Sequence, residues 1–109
     1  MGMISWIYLL SAAVFEAMYG IGLYYSKGFT VLWASVFAVI SGIATTILLG
    51  LAMKGLPVGV SFVVWSGLAA VGTAIYGMTV LGESHGAIRI SMMLLILAGV
   101  VGLKFSSAS

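Results

Sequence analysis

A single charged side chain interrupts the first long apolar stretch of the sequence. Glu16 is the one charged residue among the first 26. An ionisable group deep in an apolar segment is energetically costly and usually marks the path of an ion or a substrate. A carboxylate in such a place can exchange a proton for a cation, and a planar cation with several N–H donors suits it because two parallel hydrogen bonds form. The alternative is a permanently protonated glutamic acid that a neighbouring hydroxyl satisfies.

Aromatic and hydroxyl side chains elsewhere in the chain could complete a cation site around this carboxylate. Trp65, Phe62 and Tyr19 could supply cation–π contacts. Thr45 and Thr46 could donate hydrogen bonds to the carboxylate, although hydroxyls in membrane helices more often bond their own backbone. These residue types predict a combined proton and substrate site.

Other kinds of chemistry lack the residues that they need. The chain has no cysteine, which removes thiol nucleophiles, disulfides and cysteine-bound zinc. His85 stands close to Glu83, but one histidine and one carboxylate are too few ligands for a metal ion. The sequence has no nucleotide-binding loop and no nucleophile with a base, and its four scattered cations form no nucleic-acid patch. We expect no enzyme activity, no metal or other cofactor, and no nucleic-acid partner.

The composition places these residues in a membrane. Hydrophobic residues make up 63% of the chain and charged residues 6%, whereas a soluble domain carries roughly 25% charged residues. A disordered chain is also excluded, because disorder requires few apolar residues. We therefore expect an integral membrane protein with lipid around it.

The distances between charged residues define the membrane spans, since a helix that crosses the hydrocarbon needs roughly 20 mostly apolar residues. There are 26 uncharged residues between Lys27 and Lys54 and 28 between Lys54 and Glu83. Only 14 separate Arg89 from Lys104, but both long side chains can extend outward from the ends of a helix. The predicted spans are Ile4–Tyr25, Thr30–Met53, Pro57–Leu81 and Ala87–Phe105.

The predicted fold class is an all-α membrane protein of four transmembrane helices in a single domain, residues 1–109. Gly28, Pro57 and the polar stretch 82–86 separate the spans. Connections this short make neighbouring helices antiparallel. The first span lacks the basic leading region and cleavage site of a signal peptide, so we expect it to remain in the mature chain.

The distribution of positive charges does not predict a single orientation in the membrane. With four helices, Lys54 and Lys104 lie on one side and Lys27 and Arg89 on the other. Orientation normally follows an excess of Lys and Arg in the cytoplasmic loops. A balanced chain can insert both ways, and two oppositely inserted copies can form an antiparallel dimer.

A dimer would also supply more helices around the site. Four helices are few to enclose a cation and to close the site toward both sides of the membrane. Small residues on one face of the fourth span predict the dimer interface. These residues are Ser91, Ala98 and Gly102, with Gly99 adjoining.

Several segments of the sequence, taken together in their order along the chain, resemble the small multidrug resistance family of four-helix bacterial transporters. The resemblance covers essentially the whole chain. The Ser-Lys-Gly-Phe-Thr turn and the Gly-Leu-Lys ending are most similar to its guanidinium-exporter branch. The matching segments are Phe15-Glu16, residues 23–30, Leu56-Pro57-Val58-Gly59, Trp65-Ser66-Gly67 and residues 98–104.

The resemblance implies an antiparallel dimer in the bacterial inner membrane that exports small cations in exchange for protons, with the glutamates of both subunits in one shared site. It also implies that Thr45 replaces a serine that contacts the glutamate, and that Trp65 is retained. Three positions depart from the branch: Tyr19 replaces a tryptophan, Phe62 a tyrosine, and Ala69 a glycine.

Four functions therefore stay open on the sequence alone. The leading one is a proton-coupled exporter of guanidinium or small guanidino cations. The second is an exporter of quaternary ammonium or other multidrug cations, as a homodimer or as one subunit of a heterodimer with a second family member. The third and fourth are a proton-carrying rotor subunit and a structural membrane subunit.

Overall fold

Four long helices make up the computed structural model, which describes residues 3–107. They are α1 (Met3–Ser26), α2 (Leu32–Ala52), α3 (Val58–Thr79) and α4 (Ala87–Ser107). All four are long and apolar enough to cross a membrane, and the described range contains no strand. The predicted fold class, an all-α protein with four transmembrane helices, is confirmed. The ends of the helices lie within two residues of the predicted spans.

The connection between α2 and α3 ends at the one proline of the chain. Pro57 is the N-cap of α3, with φ −60° and ψ 147°, and its carbonyl accepts a hydrogen bond from the Ser61 N–H at 3.0 Å. Proline suits the start of a helix because its missing N–H would have no partner there. The helix therefore begins at Val58, one residue after the predicted start.

A buried serine organises the turn between α1 and α2. The Ser26 hydroxyl donates to the Leu23 carbonyl at 2.8 Å and accepts from the Phe29 N–H at 3.2 Å. Lys27, Gly28 and Phe29 all have positive φ, at 49°, 73° and 68°. This region is uncommon for residues with a side chain, so the two flanking residues are conformationally strained.

Helix α1 packs against both α2 and α3, whereas the backbone of α4 approaches α3 alone within the described range. Gly22 allows close approach of α1 to α2: a Cβ there would lie 3.2 Å from the Cα of Ala38. Gly67 has the same role between α3 and α4, where an added Cβ would lie 3.2 Å from methyl groups of Ile96 and Val100. Small residues are the usual means of close helix packing in lipid.

The main buried cluster of the bundle lies toward one end. This buried core is near the connection that carries Lys54, where Lys104 at the end of α4 also lies 5.2 Å from the ring centroid of Trp6 near the start of α1. The cavities described below reach the opposite end, at Phe29 and at Arg89. The buried core consists of Leu9, Ala12, Leu49, Ala52, Leu56, Val64 and Val100.

Candidate functional site

Glu16 lies in the middle of α1 and lines two separate cavities. It is partly buried within the chain. Its carboxylate forms no hydrogen bond and no ion pair with any other residue of the range 3–107. A partly buried carboxylate with no protein partner is free to take up a proton or a cation.

The first cavity lies beside α1 and α2 and is called the α1–α2 cavity here. Its volume is about 580 Å³, and three of the predicted site residues besides the glutamate line it. Phe29 of the strained turn forms another part of its wall. The predicted residues in its wall are Glu16, Tyr19, Thr45 and Trp65, with Thr46 beside them.

A chain of two hydrogen bonds joins three helices next to this cavity. The indole Nε1 of Trp65 on α3 donates to the Thr45 hydroxyl on α2 at 2.8 Å. The same hydroxyl donates to the Ala12 carbonyl on α1 at 2.7 Å, and Thr45 is 2% exposed. In an α-helix the carbonyl of residue 12 also receives the backbone N–H of residue 16. Thr45 therefore contacts the turn of α1 that carries Glu16.

The two threonines do not bond the carboxylate directly. Thr45 gives its single proton to Ala12, and Thr46 donates to the Gly42 carbonyl of its own helix at 2.8 Å. Thr46 thus follows the usual behaviour of hydroxyls in membrane helices. Thr45 instead bonds across helices, to the turn of α1 that carries Glu16.

The aromatic residues of the predicted site occupy different surroundings. The Tyr19 ring packs against Gly42, where an added Cβ would lie 3.1 Å from the ring. Phe62 is 51% exposed and lines neither cavity of Glu16. Its ring centroid lies 5.0 Å from that of Trp65. Within one chain, Tyr19 and Trp65 therefore line the α1–α2 cavity with Glu16, whereas Phe62 lies outside it, next to Trp65.

The second cavity lies beside α1 and α3 and is called the α1–α3 cavity here. It has a volume of about 480 Å³ and extends from Glu16 to Glu83 and Arg89 in the α3–α4 region. Glu83 and Arg89 form an ion pair, with Nη2 of the arginine 3.1 Å from Oε1 of the glutamate. A contribution from this pair was not predicted, although a negative charge in the break before α4 and a positive charge in the first turn of α4 were a visible signal.

The predicted dimer residues lie uncovered along α4. Ser91, Ala98, Gly99 and Gly102 are all exposed, and a Cβ added at either glycine would meet nothing within 4 Å. The Ser91 hydroxyl donates to the Ala87 carbonyl of its own helix at 2.7 Å. This face of α4 is therefore available to a second copy of the chain.

Comparison with known proteins agrees with this architecture. The sequence model of the family described as Small Multidrug Resistance protein matches residues 4–96. The chain is 47% identical to a protein of Yersinia pseudotuberculosis serotype I (strain IP32953) named guanidinium exporter, over 94% of this chain and 99% of the relative. Proteins of the same name from Escherichia coli (strain K12) and Proteus vulgaris are 45% and 42% identical, each over 94% of this chain and at least 98% of the relative. The chain belongs to the small multidrug resistance family.

Proposed function

We propose that this protein exports guanidinium or small guanidino cations across the bacterial inner membrane in exchange for protons, as a single four-helix domain that works in a dimer. The observation that carries the proposal is the carboxylate of Glu16 within a membrane helix, without a partner among residues 3–107, in a chain whose relatives over nearly its whole length are named guanidinium exporters. Family membership makes a transporter the expected activity, and it argues against the rotor and structural alternatives.

Glu16 supports exchange because one carboxylate cannot hold a proton and pair with a cation together. A guanidinium ion can donate two parallel N–H bonds to the two carboxylate oxygens. When the substrate leaves, a proton takes its place and neutralises the carboxyl. The aromatic rings of Tyr19 and Trp65 in the α1–α2 cavity would add cation–π attraction.

An antiparallel dimer would give this site access to both sides of the membrane. In one chain, the α1–α3 cavity extends from Glu16 toward the end that carries Lys27 and Arg89, and the α1–α2 cavity reaches Phe29 at that end, while the buried core lies toward the other end. An inverted partner would present its own cavities to the opposite side. Structurally related halves that rock against each other around a fixed site perform alternating access in other transporters.

Transport by the purified protein in sealed vesicles tests this proposal. We expect a guanidinium gradient to drive proton movement in the opposite direction, reported by a pH-sensitive dye inside the vesicles. Guanidinium, methylguanidinium and tetramethylammonium should be compared at equal concentration. Proton movement with tetramethylammonium alone would favour the multidrug alternative, and no movement with any of the three would reject a cation exchanger.

A further inference from the structure

The α1–α3 cavity contains a second carboxylate, placed at the opposite end from Glu16. Glu83 lies just after the end of α3, where Gly82 with φ 73° turns the chain so that the Glu83 N–H bonds the Gly77 carbonyl at 3.0 Å. The carboxyl group then lies directly against Gly77, where an added Cβ would come within 2.8 Å of the carboxyl carbon. The position of Glu83 is therefore set by the backbone of α3.

The partner of Glu83 has the same head group as the proposed substrate. Arg89 uses Nη2 to pair with the Glu83 carboxylate at 3.1 Å and Nη1 to donate to the Ser84 carbonyl at 3.0 Å. Only one guanidinium nitrogen thus contacts the carboxylate, although this head group can offer two parallel bonds. A free guanidinium ion could form the pair of bonds that Arg89 does not form.

The ion pair is also open to exchange. The side chains of Arg89 and Glu83 are 40% and 46% exposed, and exposed ion pairs contribute little to stability. The cavity wall between the two carboxylates includes Tyr24 and Tyr76, and the Tyr76 hydroxyl is hydrogen-bonded to that of Tyr25. Aromatic rings of this kind can stabilise a cation that has left Glu83.

We propose that Glu83 is a peripheral binding site for guanidinium at the mouth of the α1–α3 cavity, and that the Arg89 side chain occupies it when no substrate is bound. Arg89 acts as a tethered competitor with the chemistry of the substrate. A cation that displaces it enters the cavity that leads to Glu16. This inference rests on the proposed function for its substrate.

Replacing Glu83 and replacing Arg89 should have opposite effects on guanidinium binding. This difference distinguishes a binding site from a structural ion pair. Titration of guanidinium chloride into the purified full-length Glu16→Gln protein, followed by NMR of the Glu83 and Ser84 amides, measures the peripheral site alone. We expect saturable shifts that an equal titration with sodium chloride does not produce. Glu83→Gln in this background should abolish them, whereas Arg89→Gln should lower the apparent Kd severalfold.

Lys27→Gln is the matched control, because it removes the same charge from the same end of the molecule but lines neither cavity. It should leave the Kd unchanged. Arg89→Lys supplies a weaker form of this comparison if the glutamine variant does not fold, since a single ammonium nitrogen replaces the two guanidinium nitrogens that bond the Glu83 carboxylate and the Ser84 carbonyl. If Glu83→Gln and Arg89→Gln change the shifts in the same direction, or if no saturable shift occurs, the peripheral site is wrong.

Transport assays distinguish a failure of the peripheral-site proposal from a failure of the proposed exporter function. In vesicles, Glu83→Gln should raise the KM for guanidinium severalfold with little change in maximal rate, because Glu16 is intact. Normal KM in this variant, with guanidinium-driven proton flux present, would overturn the peripheral site and leave the exporter intact. Absence of flux in the unmodified protein would overturn the exporter, and the NMR titration would still decide whether Glu83 binds the cation.

Discussion

Glu16 has no hydrogen-bond or ion-pair partner within residues 3–107, so its carboxylate is available to a ligand. We expect Glu16→Gln to abolish coupled transport, because the amide keeps the shape of the side chain but cannot exchange a proton. Glu16→Asp should retain proton-coupled transport at a lower rate, since it keeps the titratable group one methylene shorter. Flux measurements in vesicles check both, and substrate-driven proton flux in the glutamine variant would remove Glu16 from the mechanism.

Thr45 bonds the Ala12 carbonyl of α1, one turn before Glu16. Replacing it with valine leaves the Trp65 N–H without its acceptor and removes the bond to the Ala12 carbonyl. Each lost interhelical bond costs about 0.5–2 kcal/mol in a membrane protein. We expect Thr45→Val to weaken guanidinium binding and to lower thermal stability, whereas Thr45→Ser keeps both bonds. Binding and unfolding measured on the two variants check this, and equal behaviour would show that the hydroxyl is not needed.

Substitution of glycines tests whether the uncovered face of α4 is the dimer interface. Gly99 on α4 and Gly50 on α2 both have open space where a Cβ would lie. Leucine at either position should therefore leave the single chain folded. We expect Gly99→Leu to shift the protein from dimer to monomer, because leucine blocks close approach of a second α4. Gly50→Leu is the matched control, and dimers of unchanged stability in both variants would exclude this face as the interface.

The helices themselves were predictable from the sequence, because the spacing of charged residues reflects the thickness of the membrane. The turn between α1 and α2 was less so: the predicted span begins at Thr30, whereas α2 begins at Leu32. The additional turn residues are Thr30 and Val31, whose N–H groups both bond the Ser26 carbonyl, at 2.8 Å and 3.0 Å. Among the residues of this turn with positive φ, only Gly28 is of a type that favours such a conformation.

The candidate residues of the site were proposed from the sequence, but the hydrogen bonds between them were not. Residue types alone made Glu16, Trp65, Tyr19, Phe62 and Thr45 candidates, and the resemblance to the family added the match at Trp65. The bond from Trp65 to Thr45 and on to Ala12 depends on how α1, α2 and α3 rotate against one another. These helices are apolar on every side, so no amphipathic pattern in the sequence indicates their rotation.

The even distribution of basic residues between the two ends of the bundle predicts insertion in both orientations. A single cysteine in place of the exposed His85 provides a label in the α3–α4 connection of a chain that has no other cysteine. We expect labelling from both sides of the membrane if the protein forms antiparallel homodimers. Labelling from one side would favour a heterodimer with a second family member. Two lysines inserted beside Lys54 should then bias the population toward one orientation.

Proton and cation should compete for the carboxylate of Glu16. As pH falls, a larger share of the Glu16 carboxyls is protonated, so the apparent affinity for guanidinium should weaken. Below the titration midpoint, exchange of one proton for one cation weakens it about tenfold per pH unit, and exchange of two protons about a hundredfold. If two Glu16 groups face each other, their titration is coupled and its midpoints belong to the pair. Binding to detergent-purified protein over a pH series from about 5 to about 9 measures this slope. An affinity that stays flat over the series, with no proton release into a weak buffer when guanidinium is added, would reject exchange at Glu16.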